Sequence, residues 1–228
     1  NIQSAETGSE PYSGTAALLL QGASVLGEKM KRLLLILGVA FLMLPLWAAV
    51  GCDLNDPDKD VARLFPGSTG YKTSYRNISR EGGKNLLTKL ENALGDKFSG
   101  LYESIDVPYT LYSVYRDKVL IGYIHGVNQK GKYGGLQIFL SLDTNGKIIN
   151  MYFQKISSRN TKLFKSASFT DQFKGLNLSD FAGWNVGKAQ SSGKLASIKN
   201  PAPNDPDFAA IMRGLKKNLV LMQHFTGK

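Results

Sequence analysis

Residues 130–154 read KGKYGGLQIFLSLDTNGKIINMYFQ. Leu136, Ile138, Leu140 and Leu142 alternate with Gln137, Phe139 and Ser141. The chain then turns at Asp143, Thr144, Asn145 and Gly146, and Ile149, Met151 and Phe153 continue an apolar face on the way back. A period of two on both sides of an Asn-Gly turn specifies a β-hairpin. A second hairpin precedes it, because YTLYSVYR (109–116) and VLIGYIH (119–125) flank a two-residue turn at Asp117 and Lys118.

Outward from the hairpins the period changes to that of a helix. Leu86, Leu87, Leu90 and Leu94 recur at helical spacing, and Gly95 follows as a C-terminal stop. Near the end of the chain Asp205 is placed to cap a helix and Pro206 to occupy its first position. Phe208, Ile211, Met212, Leu215, Leu219 and Met222 form its single apolar stripe. The expected fold class is α+β: an antiparallel sheet of at least four strands built from two hairpins, packed by an N-terminal and a C-terminal helix. Between these elements, 155–168 reads as a long polar loop. Phe169 and Phe173 mark a short helical turn closed by Gly175, and the Gly, Ser, Lys and Ala-rich stretch 182–203 reads as a surface excursion.

A chain of 228 residues that is 43% hydrophobic has enough apolar surface for one sizeable core and too little for two full domains. Its start is unlike the rest. Lys31 and Arg32 precede an apolar run over 33–46, which ends in Ala-Ala-Val-Gly-Cys at 48–52. The run is shorter than the roughly 20 apolar residues of a membrane span, and the pattern resembles a bacterial lipoprotein signal. That resemblance implies cleavage before Cys52, which becomes the lipidated first residue, and an exported protein held in the cell envelope. Asp53 resembles the residue that retains such lipoproteins in the inner membrane, on its periplasmic face. The expected organisation is an upstream extension outside the fold (1–29), a signal peptide (30–51), a polar lipid-anchored tether (52–65) and a single domain (66–228). Cys52 is the only cysteine, so no disulfide forms within the chain.

The formal charge is +10, and residues 1–51 carry three basic and three acidic residues, so the part after the signal keeps all of it. In an exported, anchored protein this excess matches anionic lipid head groups. Nucleic acid is not expected as a partner, because the basic residues are scattered and export removes the protein from it.

The first six residues of the opening stretch suit either a turn or a phosphate cradle. Gly126 to Lys132, GVNQKGK, fills seven positions of the nucleotide-binding pattern G-x-x-x-x-G-K. The eighth is Tyr133 where a Ser or Thr hydroxyl is needed for magnesium, and a strand follows where a helix is required. His125 and His224 are the only histidines, too few for a metal centre without cysteine or a tight acidic cluster. They read as an ordinary strand-end residue and a charge at the last helical turn.

Taken in order, the Lys132-Tyr133-Gly134-Gly135 loop, the strand, the D-x-x-G-K-I turn at 143–148, the second strand, a polar loop and Gln172-Phe173-Lys174-Gly175 resemble one known family. It is the FMN-binding domain of the periplasmic flavoprotein subunits of Rnf and sodium-pumping NADH:quinone oxidoreductase complexes. The likeness covers about 106–175. It implies electron transfer at the outer face of the cytoplasmic membrane, with other membrane redox subunits as partners and no side chain required as a catalytic acid or base. It also implies FMN held by Lys132, Tyr133, Gly134, Gly135, Ser157, Ser158, Thr161, Lys162, Gln172 and Phe173. Two departures qualify it. The family's Ser-Gly-Ala-Thr motif, whose Thr carries covalent flavin, is replaced by SIKNPAPNDPDF (197–208), and its Glu-Thr-Pro-Gly-Leu-Gly loop by SSRNTKLF (157–164). Flavin is therefore expected non-covalently if at all, and the alternative is a flavin-free structural or assembly subunit of a membrane complex.

Overall fold

The computed structural model describes residues 52–98 and 103–227, which belong to one compact unit. The upstream extension and the signal-like segment lie outside the described residues. In chain order the main elements are α1 (Pro57–Leu64), β1 (Gly70–Arg76), α2 (Ile78–Glu81), α3 (Gly83–Leu94), β2 (Tyr109–Arg116) and β3 (Val119–Lys130). They continue with β4 (Gly135–Leu142), β5 (Ile148–Ile156), α4 (Thr161–Phe164), α5 (Ala167–Thr170), α6 (Leu178–Phe181), the small hairpin β6 (Trp184–Asn185) and β7 (Gln190–Ser191), and α7 (Asp207–Thr226). The fold is α+β. Five strands form one antiparallel sheet in sequence order, β1-β2-β3-β4-β5.

Both expected hairpins are present. Asp117 takes φ 55° in the two-residue link between β2 and β3, and Gly146 takes φ 78° in the link between β4 and β5. The helix over 83–94 ends as expected, with Gly95 left-handed at φ 77° and its N–H on the Glu91 carbonyl. α7 begins one residue later than expected: Pro206 is the capping residue and the Asp205 carboxylate accepts from the Asp207 N–H at 2.8 Å.

One face of the sheet is covered by α7. Its stripe of Ile211, Met212, Leu215 and Leu219 joins Leu111, Val127, Ile138 and Leu140 from the strands and the aromatic group Phe164, Phe169, Phe173 and Phe181 in the main core. Helix and sheet approach closely at Gly214, where a Cβ would stand 2.6 Å from Ile138 Cδ1. Some of the polar groups beneath the helix are paired, although His125 Nε2 and Tyr109 Oη have no hydrogen-bond partner among the described residues. Asn218 donates its amide hydrogens to the carbonyls of His125 (3.0 Å) and Ile138 (3.2 Å) and accepts from His125 Nδ1 at 2.8 Å. His125 is therefore fully buried within β3, not a strand-end residue, and burial lowers its pKa to about 4. Beside it Glu103 receives Lys217 Nζ at 2.7 Å and Arg213 Nη1 at 3.0 Å, and Arg213 Nε reaches Asp96 at 2.7 Å. Burial favours the neutral form of Glu103, but Lys217 and Arg213 outweigh it and hold the carboxyl below its usual value.

The opposite face is covered by a segment expected to be a tether. Residues 52–65 dock: Cys52, Leu54, Val61, Leu64 and Phe65 pack on Tyr112, Val114, Ile124 and Phe139 as a second core. The polar letters of DLNDPDKDVARL conceal this, because Pro57 starts a helix capped by Asp56, and that helix turns Val61 and Leu64 inward. Polar contacts fix the segment's path. Leu54 N–H donates to Tyr112 Oη at 3.1 Å, Asn55 N–H to Gln154 Oε1 at 2.8 Å, and Gln154 Nε2 to the Asp53 carbonyl at 2.8 Å. Two expected loops are also more ordered than their composition suggested. Residues 155–168 contain the end of β5, α4 and the start of α5. Trp184, Leu195 and Ala202 anchor the 182–203 stretch in the core. Among the described residues no helix is long and apolar enough to cross a membrane.

Candidate functional site

Three chain segments meet at the end of the sheet where β3 stops, β4 starts and β5 stops. The first is the tight bend between Lys130 and Gly135, closed by Gly131 N–H on the Gly134 carbonyl at 2.8 Å. The second follows β5. Ser157 N–H donates to the Gly135 carbonyl at 3.2 Å, Asn160 N–H donates to Ser158 Oγ at 3.2 Å, and Thr161 Oγ1 donates to the Ser158 carbonyl at 2.7 Å. The third is the start of α7, with Asp205 and Asp207.

The two bends expected to flank a ligand do converge, and they converge into contact. Gly134 takes φ 143°, a conformation that L side chains rarely adopt, and a Cβ there would lie 2.8 Å from Ser157 Cβ. Gly135 carries no such constraint, since a Cβ would meet open space. Across the bends the Arg159 guanidinium lies 4.7 Å from the centre of the Tyr133 ring, so this face of the tyrosine is covered by a cation. No gap remains between Gly134 and Ser157 for a flat ring system.

Carboxylates occupy the donors that a phosphate would need. Asp207, fully buried, accepts from Lys132 N–H at 2.6 Å through Oδ1, while its Oδ2 has no hydrogen-bond partner among the described residues. Asp205 accepts from Asn160 Nδ2 at 2.6 Å. The start of α7 attracts negative charge through its free N–H groups and dipole, and the chain supplies that charge itself. A dianionic phosphate brought to the same N–H would face a buried carboxylate.

The remaining expected ligand residues are dispersed. Phe173 is completely buried, its ring 5.2 Å from Phe169 and 6.5 Å from Phe181, so its place is the core. The Gln172 amide binds Lys199 in both directions, donating to its carbonyl at 3.2 Å and accepting its N–H at 2.7 Å, which ties the 3-10 turn to the 193–203 stretch. The Ser157, Ser158 and Thr161 groups work within or between the bends, and Lys162 is exposed. A recess of about 480 Å³ does open beside the first bend, lined by Asn128, Gln129, Lys130, Gly131, Lys132, Gly134 and Gly135. None of these comes from the 157–162 bend. The G-x-x-x-x-G-K match dissolves, because its first five residues lie inside β3.

Sequence reasoning missed Asp207 and gave Asp205 only a capping role. An acidic residue in the first turn of a helix is a common sign, but nothing in the sequence connects position 207 to position 132. Cys52 is 4% exposed, and its thiol is pushed up to about 12, chiefly by burial. It is an inert packing residue in this state. Asp53 directs its carboxylate to the Thr110 hydroxyl. Among the described residues no group of three or more His, Cys, Asp and Glu is placed to hold a metal ion. Compared with family models and with curated proteins, the chain matches none.

Proposed function

We propose that this chain is an exported envelope lipoprotein, anchored through Cys52, whose body serves a membrane complex as a scaffold or assembly subunit without flavin. One observation carries the flavin-free part: the Asp207 carboxylate sits on Lys132 N–H, in the bend where the resemblance would place a phosphate. The anchored part is supported by the signal-like sequence ending at Cys52. Cys52 packs in the second core, so a lipid on its sulfur requires Cys52 itself to stay out of that core, and the tails then leave next to Asp53.

The test is a fluorescence titration of the body from Asp53 onward with FMN, paired with affinity capture of the tagged full chain from detergent-solubilised membranes. No quenching of FMN, and a stable protein partner recovered without yellow absorbance, are the expected results. Stoichiometric FMN that is reversibly reduced would overturn the proposal.

A second reading has its own observation. The recess of about 480 Å³ beside Lys130 and Lys132 falls in the range of small-molecule sites. FMN held there non-covalently would supply one- or two-electron chemistry, while the chain would bind and orient it. Under that reading Lys130→Gln with Lys132→Gln weakens flavin binding at least tenfold. Under the first there is no flavin binding to lose.

A further inference from the structure

We propose that the end of the sheet carrying the Lys130–Gly135 bend is a docking surface for an anionic lipid bilayer, and that residues 52–65 hold this end toward the membrane. It rests on the anchored part of the proposed function, and on three observations.

The first is where the anchor point lies. The Asp53 carbonyl is held by Gln154, two residues before β5 ends at Ile156, and its carboxylate by Thr110, the second residue of β2. At roughly 3.3 Å per residue, Asp53 is bound within about 7 Å of that end of the sheet. From there α1 runs away toward the other end, where the Leu64 carbonyl accepts from Asn150 near the start of β5. A lipid on Cys52, once that sulfur is outside the second core, therefore emerges beside the Lys130–Gly135 and 157–162 bends, next to Asp53, which is held there by Gln154 and Thr110.

The second is charge. Lys130, Lys132, Lys155, Arg159 and Lys162 are all exposed at this end, on the β3–β4 bend, the last residues of β5 and the segment that follows. Of the acidic groups among them, Asp207 is buried on Lys132 N–H and Asp205 is half-buried on Asn160, while Asp53 is exposed with its carboxylate on the Thr110 hydroxyl, so the five cations outnumber the one exposed carboxylate among them. Asp106 also lies at this end, ahead of β2 on the far side of β3 from those bends.

The third is apolar exposure. Four large hydrophobic residues are exposed among the described residues: Tyr75, Val119, Tyr133 and Leu163. Three of them belong to this end. Tyr133 and Leu163 lie among the cations. Tyr75, 70% exposed, pairs across the strands with Thr110, the residue that holds Asp53. Amphipathic rings beside cations suit the head-group layer, where one edge is apolar and the other wet. A soluble acidic protein would match the charge alone and would not require the anchor to emerge at this end.

The experiment is co-sedimentation of the unlipidated body, from Asp53 onward, with phosphatidylcholine vesicles and with vesicles that also contain phosphatidylglycerol. Apart from Cys52, the body contains both cores of the described unit. Binding is expected only to the anionic vesicles and is expected to fall as salt rises. Lys130→Gln with Lys132→Gln should weaken it about 25-fold, from about fivefold per cation at the surface. The matched pair Lys118→Gln with Lys147→Gln, in the turns at the opposite end, should change it less than twofold. Equal losses in both pairs, or equal binding to neutral vesicles, would overturn the proposal. Intact mass of membrane-extracted chain reports the lipid on Cys52 separately. An unmodified mass with retained vesicle binding would remove the anchor and leave the surface, whereas a lipidated mass without body binding would do the reverse.

Discussion

The two faces of the sheet are closed by different kinds of material. On one, a 20-residue helix lays a continuous apolar stripe on the strands and encloses His125, Asn218 and the Glu103, Arg213 and Lys217 group. On the other, residues 52–65 reach inward with few apolar side chains, among them Leu54, Val61 and Leu64, and are otherwise fixed by single hydrogen bonds. The first face belongs to the cooperative core. The second has the few buried contacts and exposed backbone bonds of a unit that opens locally at lower free energy. Stability thus lies mainly on one side of the sheet, and the proposed anchorage on the other.

The largest effect is expected under α7. Glu103→Gln leaves Lys217, 0% exposed, without its carboxylate, while Arg213 keeps Asp96, and should cost about 3–5 kcal/mol by denaturant unfolding. A loss below about 1 kcal/mol would remove the ionic group from the account of that face. Leu215→Ala, also fully buried there, should cost about 2–5 kcal/mol and leave the denaturant slope unchanged.

Acid should act on the same face. The folded pKa of His125 lies below its unfolded value of about 6.5, so the unfolded chain binds more protons between the two. Stability is full above about 6.5 and falls as pH drops toward 4, by about 3 kcal/mol in all. The lowered pKa of Glu103 extends the loss to more acidic pH. His125→Asn should flatten the upper part of this profile, and an unchanged slope between pH 6 and 4.5 would break the assignment.

The smallest effects should come from the other face and should separate local from global opening. Leu64→Ala is expected to cost about 2 kcal/mol, the low end of its class, because the segment can lift while the sheet and α7 persist. Tyr112→Phe removes the acceptor of Leu54 N–H and should cost about 1 kcal/mol. In the unlipidated chain both should raise the labelling rate of the Cys52 thiol far more than they lower the global midpoint. If labelling follows the midpoint in step, the two faces open as one.

The same contrast explains what the sequence disclosed. The hairpins around Asp117 and Gly146 were legible because one sheet face is apolar and each turn is short. β1 was not, since Gly70–Arg76 is exposed or half-buried at every position and carries no alternation. Residues 52–65 were misread because their polar residues outnumber the few that anchor them. At the candidate site the bends were legible as turns, and their proximity followed from pairing β4 with β5. The Asp207 carboxylate was not, because the contact joins residues 75 apart and depends on where α7 lands.

β1 is also the rim of the sheet, with one side of its backbone left unpaired by any neighbouring strand in the five-stranded order. Lipid tethering would crowd many copies into a thin layer, where such a rim invites strand-to-strand addition. Lys72 stands near the middle of that rim and is exposed, whereas Arg76 at its end is ion-paired with Glu81, so two copies meeting there would bring their Lys72 charges together. Short length and Lys72 disfavour that pairing, and under the proposed tethering the loss of Lys72 would be felt first as clustering on the membrane plane, not as unfolding.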